Sequence, residues 1–249
     1  MKFLRYGSGS PVFLVHGFAE SSTGWRLLAS ALARFHTVIA PDLPGFGLSA
    51  SEQPFRSLEE MADGIVMIAD ELGFDQFAVV GHSMGGFIAQ QLLVAHHGRV
   101  SSAVLYGTAV SVDSSKRFES AEQTLARLHE EGVEGAAARV VATWFTTGTN
   151  HPFHDQCRSA STEMTLEAAV AAAAICSDAD FTDSLAEVST RILVIAGDSE
   201  RSFPIEQALQ LKQLLKNASL CILPGCGHGA HLERADLFNT VVADFLREQ

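Results

Sequence analysis

Apolar and polar positions along this chain fall into two alternating periods. Short apolar runs at Pro11–Val15, Thr37–Ala40, Phe77–Val80, Val100–Tyr106, Arg191–Ala196 and Ser219–Leu223 read as strands buried on both faces. Between them, apolar residues recur at helical spacing. The segments Thr23–Ala33, Ser57–Leu72, Phe87 to about His97 and Pro204–Leu215 are predicted helices, and a last one carries Leu237, Phe238, Val241, Val242 and Phe245 on one face. Ser57 is an expected N-cap and Gly73 the matching C-cap. Met1–Tyr6 reads as a further strand, turned at Gly7-Ser8-Gly9, and not as a signal peptide.

Alternation of strand and helix builds a parallel sheet covered by helices on both faces. The rhythm breaks after Gly107. From about Val110 to Asp183 no strand is predicted, only helices around Leu125 and Leu128, around Val140, Val141 and Trp144, and through Ala168–Ile175. The expected organisation is one α/β core, residues 1–109 and 184–249, with a helical lid, 110–183, inserted over the strand ends where open sheets bind ligands.

The chemistry sits in the break between the third internal strand and its helix. Gly81-His82-Ser83-Met84-Gly85-Gly86 is a G-x-S-x-G on a strand–turn–helix, a geometry that strains the serine backbone and exposes its hydroxyl. A serine hydroxyl needs a base, and the base needs an orienting acid. His228, in Gly225-Cys226-Gly227-His228-Gly229 after the last strand, is the candidate base, with His231 three residues on. The acid belongs after the preceding strand, where Asp198 and Glu200 both qualify.

Composition narrows the partners. With 249 residues, 47% of them hydrophobic, the chain is long enough for one large core. A formal net charge of −12 and no cluster of Lys/Arg argue against nucleic acid and anionic membranes as partners. Cys157, Cys176, Cys221 and Cys226 show no metal-ligand spacing, so neither a metal nor a cofactor is expected, and the cytoplasm is the expected compartment. His151 and His154, lacking a third ligand, are read as part of a solvated lid loop.

Four stretches in order, Val15-His16-Gly17-Phe18, Asp42-Leu43-Pro44-Gly45-Phe46-Gly47-Leu48-Ser49, Gly81–Gly86 and Gly225–His228, make the chain resemble α/β-hydrolase-fold proteins along nearly its whole length. The resemblance implies an α/β-hydrolase fold and a serine hydrolase. It favours Glu200 as the acid, because relatives place theirs fourth in G-x-x-D-x-x-x-P and Gly197–Pro204 puts Glu200 there. It implies an oxyanion hole from the backbone N–H groups of Phe18 and Met84, with structural roles for His16, His82 and Asp42.

Leu125–Gly148 is similar to the lid of 3-oxoadipate enol-lactonases, which implies a small ester or lactone as substrate, with Trp144, Phe145 and Trp25 as candidate substrate contacts. Relatives carry an arginine where Thr143 stands, so a substrate carboxylate would turn to Arg139 or Arg127. Two rival readings are a carbon–carbon bond hydrolase of meta-cleavage products and a hydrolase-fold receptor. The former tends to carry Asn at the place of His82 and an aromatic at that of Gly229.

Overall fold

The structure, a computed structural model, describes residues 1–112 and 119–247. Six residues of the expected insertion, 113–118, lie outside that description.

Seven strands form one sheet: β1 (Phe3–Tyr6), β2 (Ser10–Val15), β3 (His36–Pro41), β4 (Phe77–His82), β5 (Val100–Tyr106), β6 (Arg191–Gly197) and β7 (Ala218–Leu223). Their order is β1-β3-β2-β4-β5-β6-β7, with β1 antiparallel to β3 and every other pair parallel. The central strands are mostly apolar because both faces are covered. Phe13, Val15, Val79, Ala103, Leu105, Ile192 and Val194 point into one core. Their alternates Val12, Leu14, Ala78, Val80, Val104, Leu193 and Ile195 point into the other.

Helices α2 (Leu58–Glu71), α3 (Met84–Ala95) and α7 (Ile205–Leu214) cover the first face, and α1 (Arg26–Leu32) and α9 (Ala235–Arg247) the second. The Ser57 hydroxyl accepts from Glu60 N–H at 3.2 Å as an N-cap, and Gly73 ends the helix at φ 72°.

Between β5 and β6 lie α4 (Ala121–Val141), α5 (His154–Ser161) and α6 (Leu166–Ser177), while the short α8 (Ala230–Glu233) precedes α9. The two ends of this insertion meet in a one-residue bridge, Ser111 to Asp180, beside a Phe181 N–H bond to Val110 O. Gly132 breaks α4 at φ 68°, ψ −173°, separating the two helical pieces the periodicity predicts. Helix α5 is a correction: His154 is a buried helical residue against Asp155, not part of a solvated loop. Its sequence, His-Asp-Gln-Cys-Arg-Ser-Ala-Ser, has too few apolar positions to show a period.

Candidate active site

The turn after β4 is as tight as its glycines suggest. Ser83 has φ 54° and ψ −114°, a conformation an L-residue adopts only under constraint from its surroundings. A Cβ on Gly81 would stand 2.1 Å from the Gly85 carbonyl oxygen, and one on Gly85 would stand 2.2 Å from that of Val15. Side chains at either place would push the turn open. Ser83 N–H bonds Tyr106 O at 2.9 Å, which pins the turn to β5. Met84 opens α3, so the helix has no acceptor for its N–H.

The loops after β6 and β7 bring an acid to a base. Glu200 Oε2 lies 2.7 Å from His228 Nδ1, and Glu200 Oε1 accepts from Ser202 N–H at 2.7 Å. Burial pulls the Glu200 pKa upward. The charge of His228, the hydrogen bond to it and the Ser202 amide together outweigh burial, so the net shift is downward and the carboxylate is ionised. Asp198 does something else. It is exposed and accepts from Gly225 N–H at 2.9 Å and Cys226 N–H at 3.3 Å, bracing the turn that precedes His228. Of the two carboxylates, the structure brings only Glu200 to the histidine.

Ser83, Met84, Phe18 and His228 border one cleft. Its walls are Phe87, Phe203, Val140, Trp144, Ala172, Ala173 and Cys176, with Thr124 and Ser202 the other polar residues. Trp25, carried as a substrate contact, does not border it. At 2% exposed it packs in the core on the opposite face of the sheet, its ring 5.1 Å from that of His231 and 6.3 Å from that of His82. The one-turn helix Ser22–Trp25 aims it inward behind the site. Phe145 is also absent from the cleft lining. It stacks on His151 at 4.1 Å and packs over Gly229, while Trp144 faces the cleft.

Arg139 and Arg127 are likewise elsewhere. Arg139 reaches Glu131 at 2.6 Å and Glu119 at 3.1 Å, and Arg127 lies 3.4 Å from Glu131, in one network on α4 and the residues just before it. Among the described residues, no lysine or arginine lines the cleft.

Two histidines beside the site make structural bonds. His16 Nε2 accepts from Leu43 N–H at 3.0 Å, which leaves Nδ1–H to donate to Gly17 O at 2.9 Å. Asp42 accepts from the Ser22 hydroxyl and Leu48 N–H, each at 3.0 Å, joining two loops. His82 meets a residue that pattern reading overlooked, Glu20, whose Oε2 lies 2.8 Å from His82 Nδ1 and 2.7 Å from Gly17 N. Glu20 follows the His16-Gly17-Phe18 stretch as one carboxylate in a polar turn, and only its burial marks it out. Glu233 was also overlooked. It accepts from Thr146 N–H and from Gly227 N–H, each at 2.6 Å, and so ties the lid to the His228 loop.

Comparison with known proteins agrees with this architecture. Residues 12–241 match the alpha/beta hydrolase family. A 2-hydroxymuconate semialdehyde hydrolase of Pseudomonas putida is 31% identical over 260 residues, covering 97% of this chain and 89% of that protein. A thermophilic esterase from Thermogutta terrifontis superposes with a TM-score of 0.90 at 27% identity, over 99% of this chain and 93% of that one. The enol-lactonase from Burkholderia xenovorans shares the fold at a TM-score of 0.91 and 22% identity, over 99% and 96% of the two chains. With the strained serine turn, the carboxylate–histidine pair and a family match across nearly its whole length, this chain belongs to the alpha/beta hydrolase family of hydrolases.

Proposed function

We propose that the protein hydrolyses small carboxylic esters or lactones whose acyl part is apolar and uncharged, through an acyl-enzyme on Ser83. One observation carries this reading: Ser83 and His228 share a cleft whose other described walls, Thr124 and Ser202 apart, carry mostly apolar side chains and no Lys or Arg. His228, oriented by Glu200 at 2.7 Å, takes the Ser83 proton as Oγ attacks the carbonyl carbon. The oxygen that gains charge is held by the N–H groups of Phe18 and Met84. His228 then passes its proton to the departing alkoxide, and water repeats the sequence to release the acid.

Carbon–carbon bond hydrolysis is the second reading, favoured by the semialdehyde hydrolase relative and by a 2-hydroxy-6-oxo-2,4-heptadienoate hydrolase at 29% identity. A dienoate carries a carboxylate, for which the described cleft offers no Lys or Arg. At position 229 an aromatic would meet Phe145, since a bare Cβ there already stands 2.9 Å from its ring.

Purified protein is expected to turn over p-nitrophenyl butyrate, and to lose most kcat/KM when the acyl chain ends in a carboxylate. Faster turnover of a meta-cleavage dienoate than of any ester would overturn the ester reading. Ser83→Ala should abolish both turnover and labelling by a fluorophosphonate.

A further inference from the structure

Behind the cleft lies a buried carboxylate–imidazole pair that the proposed reaction does not use. Glu20 is 8% exposed and has its Oε2 shared between Gly17 N–H and His82 Nδ1. The other nitrogen of the same ring, His82 Nε2, lies 3.1 Å from the carbonyl oxygen of His228. Both ring nitrogens therefore face oxygen atoms of other parts of the chain. The His228 carbonyl receives a second donor, the Tyr106 hydroxyl.

These bonds join three separate pieces of chain. Gly17 precedes Phe18, the proposed oxyanion donor; His82 precedes Ser83; and the acceptor is His228 itself. The loop between Gly17 and Glu20 is strained, with Ala19 at φ 60°, and needs fixed partners at both ends.

We propose that Glu20 is a positioning residue: through His82 it sets the oxyanion loop and the backbone of the base loop in one fixed relation to Ser83. The proposal rests on the reading of Ser83 and His228 as nucleophile and base. Although burial pulls the Glu20 pKa upward, the charge and hydrogen bond of His82 bring it down to about 2, so the carboxylate persists throughout the working range.

The groups facing His82 are Glu20 from the loop after β2, Tyr106 from β5, Glu200 from the loop after β6, and His228 and His231 from the loop and helix after β7. Burial holds His231 down to about 3 and holds Tyr106 well above its ordinary 10, so both stay neutral at neutral and mildly alkaline pH. A glutamine at position 20 can keep both bonds: its oxygen, in the place of Oε2, accepts from Gly17 N–H and from Nδ1–H.

Steady-state kinetics and fluorophosphonate labelling of Glu20→Ala, Glu20→Gln and Ser83→Ala test the proposal. Glu20→Ala should lower kcat about a hundredfold with KM within about threefold, the pattern of misplaced catalytic groups. Glu20→Gln, which keeps both bonds, should recover kcat to within about fivefold of wild type. A folded Glu20→Ala with unchanged kcat, or a folded Glu20→Gln as slow as Glu20→Ala, overturns it. Should Glu20→Ala fail to fold, Glu20→Gln decides alone: kcat within about fivefold supports the proposal and a larger loss overturns it. Ser83→Ala separates the two ideas: residual labelling there would sink the nucleophile with Glu20 intact, whereas its loss leaves the Glu20 variants to be judged by themselves.

Discussion

At the scale of single residues, the two carboxylates of the Gly197–Pro204 loop show how two side-chain atoms decide a role. Asp198 is at the strand end and turns outward to two backbone amides; Glu200 is buried, 2.7 Å from the imidazole. Replacing Glu200 with Gln should therefore cut kcat by about 10³–10⁴, since the amide can hold the wrong tautomer of His228. Asp198→Asn should stay within about threefold, and a comparison of the two initial rates checks both.

Acid stability follows from neighbouring groups. His231 is buried and neutral, its pKa pulled from 6.5 to about 3 by burial. Between those values the unfolded chain binds a proton that the folded chain does not, so stability rises with pH and is lost as pH falls from 6.5 toward 3. Melting temperature should fall over that window, and His231→Gln should flatten the slope between pH 6.5 and 4.5. Below 4.5 the lowered pKa values of Glu20 and Glu200 add to the loss, because stability from a depressed carboxylate disappears as it protonates.

At the scale of elements, the turn between β4 and α3 is where local pattern and tertiary contact coincide. The glycines were legible because sterics at that turn are local: Gly81 meets Gly85, four residues away. Gly85 adds a contact with the Val15 carbonyl of the neighbouring strand, at 2.2 Å from a would-be Cβ. Gly85→Ala should destabilise the fold by about 3 kcal/mol or more, read as a shifted denaturation midpoint with unchanged slope, because that clash is with backbone and cannot relax by a rotamer change.

The lid helices were legible where they carry apolar residues at helical spacing and illegible in α5, whose burial comes from a few residues such as His154 and Ser161. The Ser161 hydroxyl reaches Ala19 O at 2.6 Å, a long-range contact that no periodicity encodes. Trp144 and Phe145 are adjacent in sequence yet face different ways, one to the cleft and one over Gly229. Neighbours in a turn diverge by backbone geometry, so an aromatic pair could not be assigned to the cleft as a unit.

Across the whole molecule, the segment after α4 and the His228 loop are built as one piece. Glu233 holds Thr146 through N–H and hydroxyl and holds Gly227 through its other oxygen, while Gly229 N–H bonds Trp144 O at 2.8 Å. Freeing this clasp with Glu233→Ala should raise KM for the best ester several-fold, with kcat falling less, as the wall at Trp144 loosens while the Glu200–His228 pair stays in place. Saturation curves for wild type and variant measure the split. No described helix is long and apolar enough to cross a membrane.

The chain's own pattern determined the order of strands and helices, the serine turn and the histidine loop, because hydrophobic period and glycine sterics act over a few residues. The bridge from Ser111 to Asp180, on either side of α4 to α6, is in contrast a long-range contact that no local period encodes. Tertiary structure alone decided which carboxylate meets His228, that Trp25 backs the site from the far side of the sheet, that Arg139 and Arg127 spend their charge on glutamates, and that Glu20 sits against His82. Each of these depends on burial and on partners tens of residues away, and a charged or aromatic side chain looks the same in sequence whether water, a core or a counter-charge surrounds it.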